Sequence, residues 1–298
     1  MKNSYYKTIN DQEWIKDWSK HVLEKSQLSF DGIQVKTSYG KTHIYTHNFG
    51  KTELPAVFIL PGMLTSSLYW AINNSLLPFQ NNYRLFLIDT IGQPGLSEGT
   101  NPNVKTNEYG KWLNEITDEL NIKSAYWIGA SFGCQLIVKL SQVAPAKINK
   151  TVFICPGGIV QIGMSWKNLS ANMGLIWFKN TYVVQRFIRK VVYGNTFALY
   201  GNEHELLYEA ILGNVQRFKM NTGYPYPMKK TEFTNMTMPV LVLPGENDPM
   251  FSPQRLSNRI KDVFPKEPLM EILPGHGHGS ELSPLALVKA ESFISKQG

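Results

Sequence analysis

Cysteine is scarce in this chain: 298 residues hold two, Cys134 and Cys155. Two cysteines in apolar contexts make no disulfide framework and offer no metal-ligand spacing, so both read as reduced packing residues. Long apolar runs are missing as well. No window approaches the ~20 apolar residues that a membrane-spanning helix needs, which argues against stable membrane insertion. The opening stretch, MKNSYYKTINDQEW, places Asp11 and Glu13 where a secretory leader would carry its apolar core. The expectation is therefore a cytoplasmic protein. Internal repeats and low-complexity tracts are also lacking. Hydrophobic residues at 43% and charged residues at 18% are ordinary globular usage, and the length suffices for one large α/β domain or two small ones.

Positive charge outweighs negative, with a net of +7. Much of it is concentrated: between residues 158 and 235, nine Lys or Arg stand against four Asp or Glu, a net of +5. These residues are scattered and carry no recognised nucleic-acid motif, which argues against a nucleic-acid partner. The plain reading is a solvated face; the sharper one is a lid that attracts anionic substrates or an acidic surface.

What is present is an alternation of strand and helix patterns. Trp14, Ile15, Trp18, Val22 and Leu23 form one stripe of a helix over about 10–27. Alternating segments at 33–37 and 43–47, joined by Tyr39-Gly40-Lys41, read as an antiparallel hairpin at a sheet edge. Short apolar runs at 56–60, 84–89, 125–130 and 151–155 read as buried strands of a mostly parallel sheet. Tyr109, Trp112, Leu113, Ile116 and Leu120 mark a helix between two of them. The alternation stops at Gly157-Gly158 and resumes at 239–243. The intervening 158–235 reads as a helical cap inserted into a core made of 1–157 and 236–298. A helix capped by Ser252 with Pro253 at its first position follows. A last strand at 269–273 comes next. A final helix, from Ser283-Pro284, includes Leu285, Val288 and Phe293.

Gly129-Ala130-Ser131-Phe132-Gly133 joins the 125–130 strand to a helical pattern through Leu136, Ile137, Leu140 and Val143. Strand, sharp turn and helix with serine at the apex make a nucleophile elbow. A serine hydroxyl needs a base to take its proton, and the base needs a carboxylate to orient it. In chain order the acid follows the serine and the histidine follows the acid. Asp248 and Glu246, in Leu243-Pro244-Gly245-Glu246-Asn247-Asp248, both sit at the carboxyl end of a strand. Asp248 is the first choice and Glu246 the turn-residue alternative. Only His276 and His278 follow that acid. The spacing Pro-Gly-x-Gly-His selects His278, with His276 left as a loop or entrance residue. His21, His43, His47 and His204 read as surface or structural histidines. The developing oxyanion needs backbone donors. The Phe132 N–H supplies one. The Met63 N–H, in Leu60-Pro61-Gly62-Met63-Leu64 after the 56–60 strand, supplies the second.

These landmarks resemble the α/β-hydrolase superfamily, in the branch with a helical cap between core strands, over roughly residues 30–298. Pro61-Gly62-Met63, Gly129 to Gly133, Asp248 and Gly277-His278 carry the resemblance. So does the segment from Asp89 to Ser97, which looks like the family's D-x-x-G-x-G-x-S with one residue inserted. The chain departs from the pattern at Pro61, where many members carry histidine, and at Cys134, where a smaller residue is common. Glu281 and Pro284 also stand at altered spacing after the histidine. Ser131 excludes the members with an aspartate nucleophile. The resemblance implies an α/β fold, with a mostly parallel central sheet flanked by helices, and a carboxylesterase-like serine hydrolase acting without cofactor or metal. Its partner would be a small-molecule ester.

The 158–235 segment is rich in Met and aromatic residues, which suits an apolar acyl or aryl pocket. Met164, Trp166 and Trp177 are its candidate substrate contacts, with Met173, Phe178 and Tyr182 beside them. No carboxylate pair there would grip a free amino terminus, which argues against an aminopeptidase. Two other readings stay open: hydrolysis of a carbon–carbon bond in a diketone-like acid, favoured by the basic cap, and a non-catalytic ligand-binding protein of the same fold.

Overall fold

The computed structural model describes residues 5–163, 178–219, 223 and 225–296. Nine strands form one sheet in the order β1-β2-β4-β3-β6-β7-β8-β9, with β5 pairing β2. The strands are β1 Asp31–Thr37, β2 Gly40–His47, β3 Ala56–Leu60, β4 Arg84–Ile88, β5 Glu98–Gly99, β6 Ala125–Ala130, β7 Ile148–Ile154, β8 Val240–Leu243 and β9 Leu269–Met270. Pairs from β4 to β9 are parallel. The hairpin β1–β2 and its junction to β4 are antiparallel. Every residue of β3 and β8 is buried, as expected of strands covered on both faces.

The helices are α1 Ile9–Lys25, α2 Glu108–Glu119, α3 Phe132–Val143, α4 Thr181–Phe187, α5 Gly201–Arg217, α6 Pro253–Val263 and α7 Pro284–Ser295. The α1 stripe is as the sequence predicts: Ile15, Trp18 and Val22 are buried. The helix starts slightly earlier because Thr8 and Asp11 form a reciprocal capping box, each side chain taking the other's backbone N–H. Three expectations shift. Ser252 precedes Pro253 at the start of α6 but its side chain makes no cap bond. The last strand shrinks to Leu269–Met270 with a lone bridge from Gly245 to Leu273, because β9 is the sheet edge and leaves Leu269 and Ile272 about half exposed. On α7 the buried stripe is Ala286, Leu287, Ala290 and Ile294, whereas Leu285 and Val288 face out.

Between β7 and β8 the described residues hold α4, a π-helical turn at Ile188–Val192, α5 and a 3-10 turn at Lys230–Phe233. That stretch is tied to the rest of the chain at several places. Lys139 of α3, 2% exposed at its side chain, pairs with Glu232 at 2.5 Å and with the Tyr226 hydroxyl at 2.9 Å. The amino-terminal segment clasps α5: the Trp18 indole N–H donates to the Leu206 carbonyl at 3.1 Å, and Arg217 pairs with Asp11 at 3.0 Å. Tyr6 bridges Phe218 across the backbone, while its hydroxyl accepts from the Gly95 N–H at 2.9 Å. No helix among the described residues is long and apolar enough to cross a membrane.

Candidate active site

β6 delivers Ser131 at the carboxyl edge of the sheet, and α3 leads away from it. The turn is so tight that a Cβ on Gly129 would lie 2.7 Å from the Cys134 nitrogen, and one on Gly133 would lie 2.5 Å from the Leu60 carbonyl oxygen. Glycine is therefore demanded on both sides by close backbone approach. Ser131 itself sits at φ 47 and ψ −109, a conformation L-residues rarely adopt. Its N–H donates to Ile154 and its carbonyl accepts from Cys134 and Gly157, so neighbouring backbone holds the strain in place.

Strands β8 and β9 deliver the partners. The turn after β8 carries Asp248, whose Oδ1 accepts from the N–H groups of Met250 at 2.7 Å and Phe251 at 3.1 Å. The loop after β9 carries His278. Its Nδ1 lies 2.8 Å from Asp248 Oδ2 and its Nε2 lies 3.1 Å from Ser131 Oγ. The π-helical turn of the inserted segment grips the same loop, with Val191 and Val192 carbonyls accepting from the N–H groups of His278 and Gly279. The Phe251 ring stands 5.4 Å from the imidazole.

Electrostatics follow from this enclosure. Burial pushes the His278 imidazole down, but the Asp248 carboxylate, its hydrogen bond and the charge of Glu281 push it up, and the net shift is upward. Burial likewise raises the Glu281 carboxyl, to about 6, against the opposing pull of His278.

The alternatives fall elsewhere. His276 is buried with both ring nitrogens taken, Nδ1 by the Pro274 carbonyl and Nε2 by Ser283 Oγ, each at 2.8 Å. Its ring stacks on Phe197 at 5.2 Å. Glu246 is exposed and accepts from the Gly275 N–H at 2.6 Å, steadying the histidine loop from outside. His47 and His204 hydrogen-bond within the structure, to Ser29 and Gln80 and to Tyr193 respectively.

The loop after β3 passes beside the serine: a Cβ on Gly62 would lie 3.6 Å from Ser131 Cβ. Met63 is half-buried in that loop, and Phe132 opens α3. Asp89, wholly enclosed, accepts from Ser67 N–H and Oγ at 3.0 and 2.7 Å and from Leu96 N–H at 2.8 Å. It is the internal post around which the segment from Asp89 to Ser97 winds. Met164, Trp166, Met173 and Trp177 lie outside the described residues; Phe178 and Tyr182 are exposed.

Sequence reasoning treated Cys155 as packing alone. It sits at φ 44, at the end of β7, and its Sγ accepts from the Gly245 N–H at 3.4 Å. Cys155, Asp248 and His278 offer ligand atoms within 4.8 Å of one another, the one such cluster among the described residues. Burial, followed by the Asp248 charge, holds the thiol well above its usual range, and Asp248 and His278 are hydrogen-bonded to each other. Gln93 and Asn214 also escaped notice. Gln93 lies where the Asp89-to-Ser97 segment is one residue longer than the pattern, and that insertion was the available signal.

A family model described as the alpha/beta hydrolase fold matches residues 55–210, more than half of the chain. The carboxylesterase YbfK of Bacillus subtilis (strain 168) is 25% identical over 259 residues, covering 84% of this chain and 82% of its own length. The uncharacterized carboxylesterase nap of the same organism is 22% identical over 279 residues, covering 92% and 86%. The crystal structure of naproxen esterase from Bacillus subtilis superposes with a TM-score of 0.81 at 19% identity, covering 97% of this chain and 100% of that one.

Proposed function

The chain belongs to the α/β-hydrolase family, and on that footing we propose that it cleaves a carboxylic ester of a small, largely apolar substrate through an acyl-enzyme. The observation that carries this reading is the unbroken line from Ser131 Oγ through His278 to Asp248, at 3.1 and 2.8 Å. Carboxylesterase names among the relatives support it. Residues 158–235 serve as the cap over the site, and the protein works in the cytoplasm, in keeping with its two buried free thiols.

Ser131 Oγ attacks the ester carbonyl carbon as His278 Nε2 takes its proton. Asp248 keeps the other imidazole proton on Nδ1 and stabilises the imidazolium that forms. The N–H groups of Met63 and Phe132 receive the negative carbonyl oxygen. The imidazolium then protonates the departing alkoxide, leaving the acyl group on Ser131. Water attacks that ester with His278 again as base, and the acid departs.

A fluorophosphonate probe tests the reading. Rapid covalent labelling at Ser131, lost on heat unfolding and accompanied by turnover of short acyl esters, is the expected result. Absence of labelling in folded protein, together with tight ligand binding without turnover, would overturn it in favour of a binding protein. Cleavage of a vinylogous diketone acid far faster than of esters would replace the ester with a carbon–carbon bond.

The base must be neutral to act, so activity is lost as pH falls through the His278 pKa. Because the net shift is upward, the acid limb of kcat/KM should have its midpoint above the ~6.5 of an unperturbed histidine. A rate profile between pH 5 and 9 measures it; a midpoint below ~6.5 would contradict the coupling to Asp248.

A further inference from the structure

Leu64, one residue past Met63, stands at φ 58. A branched L-residue holds this left-handed conformation only where its surroundings impose it. Here three side chains hold three consecutive peptide groups. Thr65 Oγ1 donates to the Gly62 carbonyl at 2.7 Å. The Leu64 N–H donates to Gln93 Oε1 at 2.8 Å. Asn214 Nδ2 donates to the Leu64 carbonyl at 2.9 Å and lies 3.4 Å from the Tyr69 hydroxyl.

In a trans peptide the C=O and N–H point in opposite directions. The bond from Thr65 to the Gly62 carbonyl therefore directs the Met63 N–H, on the same peptide plane, the other way. The bonds to the Leu64 N–H and C=O hold the planes on either side of Leu64, so neither can turn to relieve the left-handed residue and carry Met63 with it. The anchors come from three parts of the chain: the loop itself, the segment after β4 and helix α5. Asn214 is 1% exposed, so its bond to Leu64 is shielded from water.

We propose that Thr65, Gln93 and Asn214 are positioning residues that aim the Met63 N–H at the oxyanion, with Asn214 making that aim depend on the seating of α5. The proposal rests on the reading of Met63 as an oxyanion donor. It deepens that reading by stating what orients a donor that has no side chain of its own to orient it.

Isosteric variants separate aim from bulk. Thr65→Val, Gln93→Met and Asn214→Leu keep volume and remove the anchor. Each should lower kcat by about 100-fold, the size expected for displacing or losing one oxyanion donor. KM and the acid-limb midpoint should stay put. Affinity for a trifluoromethyl ketone, whose hemiketal oxyanion occupies the same place, should fall in step with kcat/KM. Thr65→Ser, which keeps the hydroxyl donor, should retain most of the activity that Thr65→Val loses. Melting curves accompany each variant. If Asn214→Leu does not fold, the Thr65 pair and Gln93→Met carry the test. Folded variants with wild-type kcat and wild-type ketone affinity overturn the inference and leave the esterase reading standing. Wild-type protein that neither labels with fluorophosphonate nor turns over esters overturns both.

Discussion

Ser131→Ala should reduce ester turnover by on the order of 10⁵- to 10⁶-fold, the cost of removing the nucleophile from a triad that acts as a unit. The melting temperature should change little, for a local reason. The elbow is held by backbone bonds from Ser131 N–H to Ile154 and from Cys134 and Gly157 to the Ser131 carbonyl, none of which involves the hydroxyl. The hydroxyl itself reaches His278. Alanine keeps a Cβ in the same place and adds no clash. Steady-state kinetics on a chromogenic ester and a thermal melt on the same sample decide the matter. Turnover within 10-fold of the parent would remove Ser131 from the chemistry, and with it the acyl-enzyme.

Asp248→Asn should cost about 10⁴-fold in kcat at neutral pH, the size expected when the histidine is trapped in the wrong tautomer. The direction follows from the three hydrogen bonds that Asp248 accepts. Oδ1 takes the Met250 and Phe251 N–H groups, and only an oxygen can do that. An asparagine must therefore keep its carbonyl oxygen there, which turns its NH₂ toward His278 Nδ1. The imidazole then has to accept at Nδ1 and carry its proton on Nε2. A proton on Nε2 faces Ser131 Oγ, so the base is unable to take the serine proton. The loss should appear in kcat, with KM near that of the parent. Nitrogen chemical shifts of the imidazole report the tautomer directly. Full activity, or a proton still on Nδ1, would show that Asp248 does not set it.

Much of this was legible in the sequence because the signals were local. β3 and β6 were delimited to the residue, since each is a short apolar run that must be buried on both faces. The elbow was legible because G-x-S-x-G between a strand pattern and a helix pattern is itself a local signature, although in the structure Gly133 answers to the distant Leu60 carbonyl. The spacing Pro-Gly-x-Gly-His picked out His278, whose ring lies against Ser131 with its backbone N–H held by Val191, while His276 packs on Phe197. Residues whose roles are made by distant neighbours stayed hidden. Asn214 is an ordinary helical asparagine in sequence, and its carbonyl partner is 150 residues away. Cys155 looked like filling, because nothing in Cys-Pro-Gly-Gly announces that β7 ends beside Asp248. The shortening of β9 was equally invisible, since an apolar run cannot report that it lies at the edge of a sheet.

The clasp between the amino-terminal segment and α5 bears on how the polypeptide emerges from the ribosome. Ile15, Trp18 and Val22 are ready for burial when α1 leaves the exit tunnel, but the Leu206 carbonyl and the Arg217 and Phe218 contacts do not yet exist. At synthesis rates of ~5–20 residues per second, roughly ten to forty seconds separate the two ends of that clasp. Through that interval the apolar face of α1 is solvent-accessible on a nascent chain. Contacts of such long sequence separation also form late in refolding, because their loop-closure entropy is paid before they give anything back. Helix α1 is thus made well before the surface of α5 that seats it, and its docking is a late event relative to its synthesis.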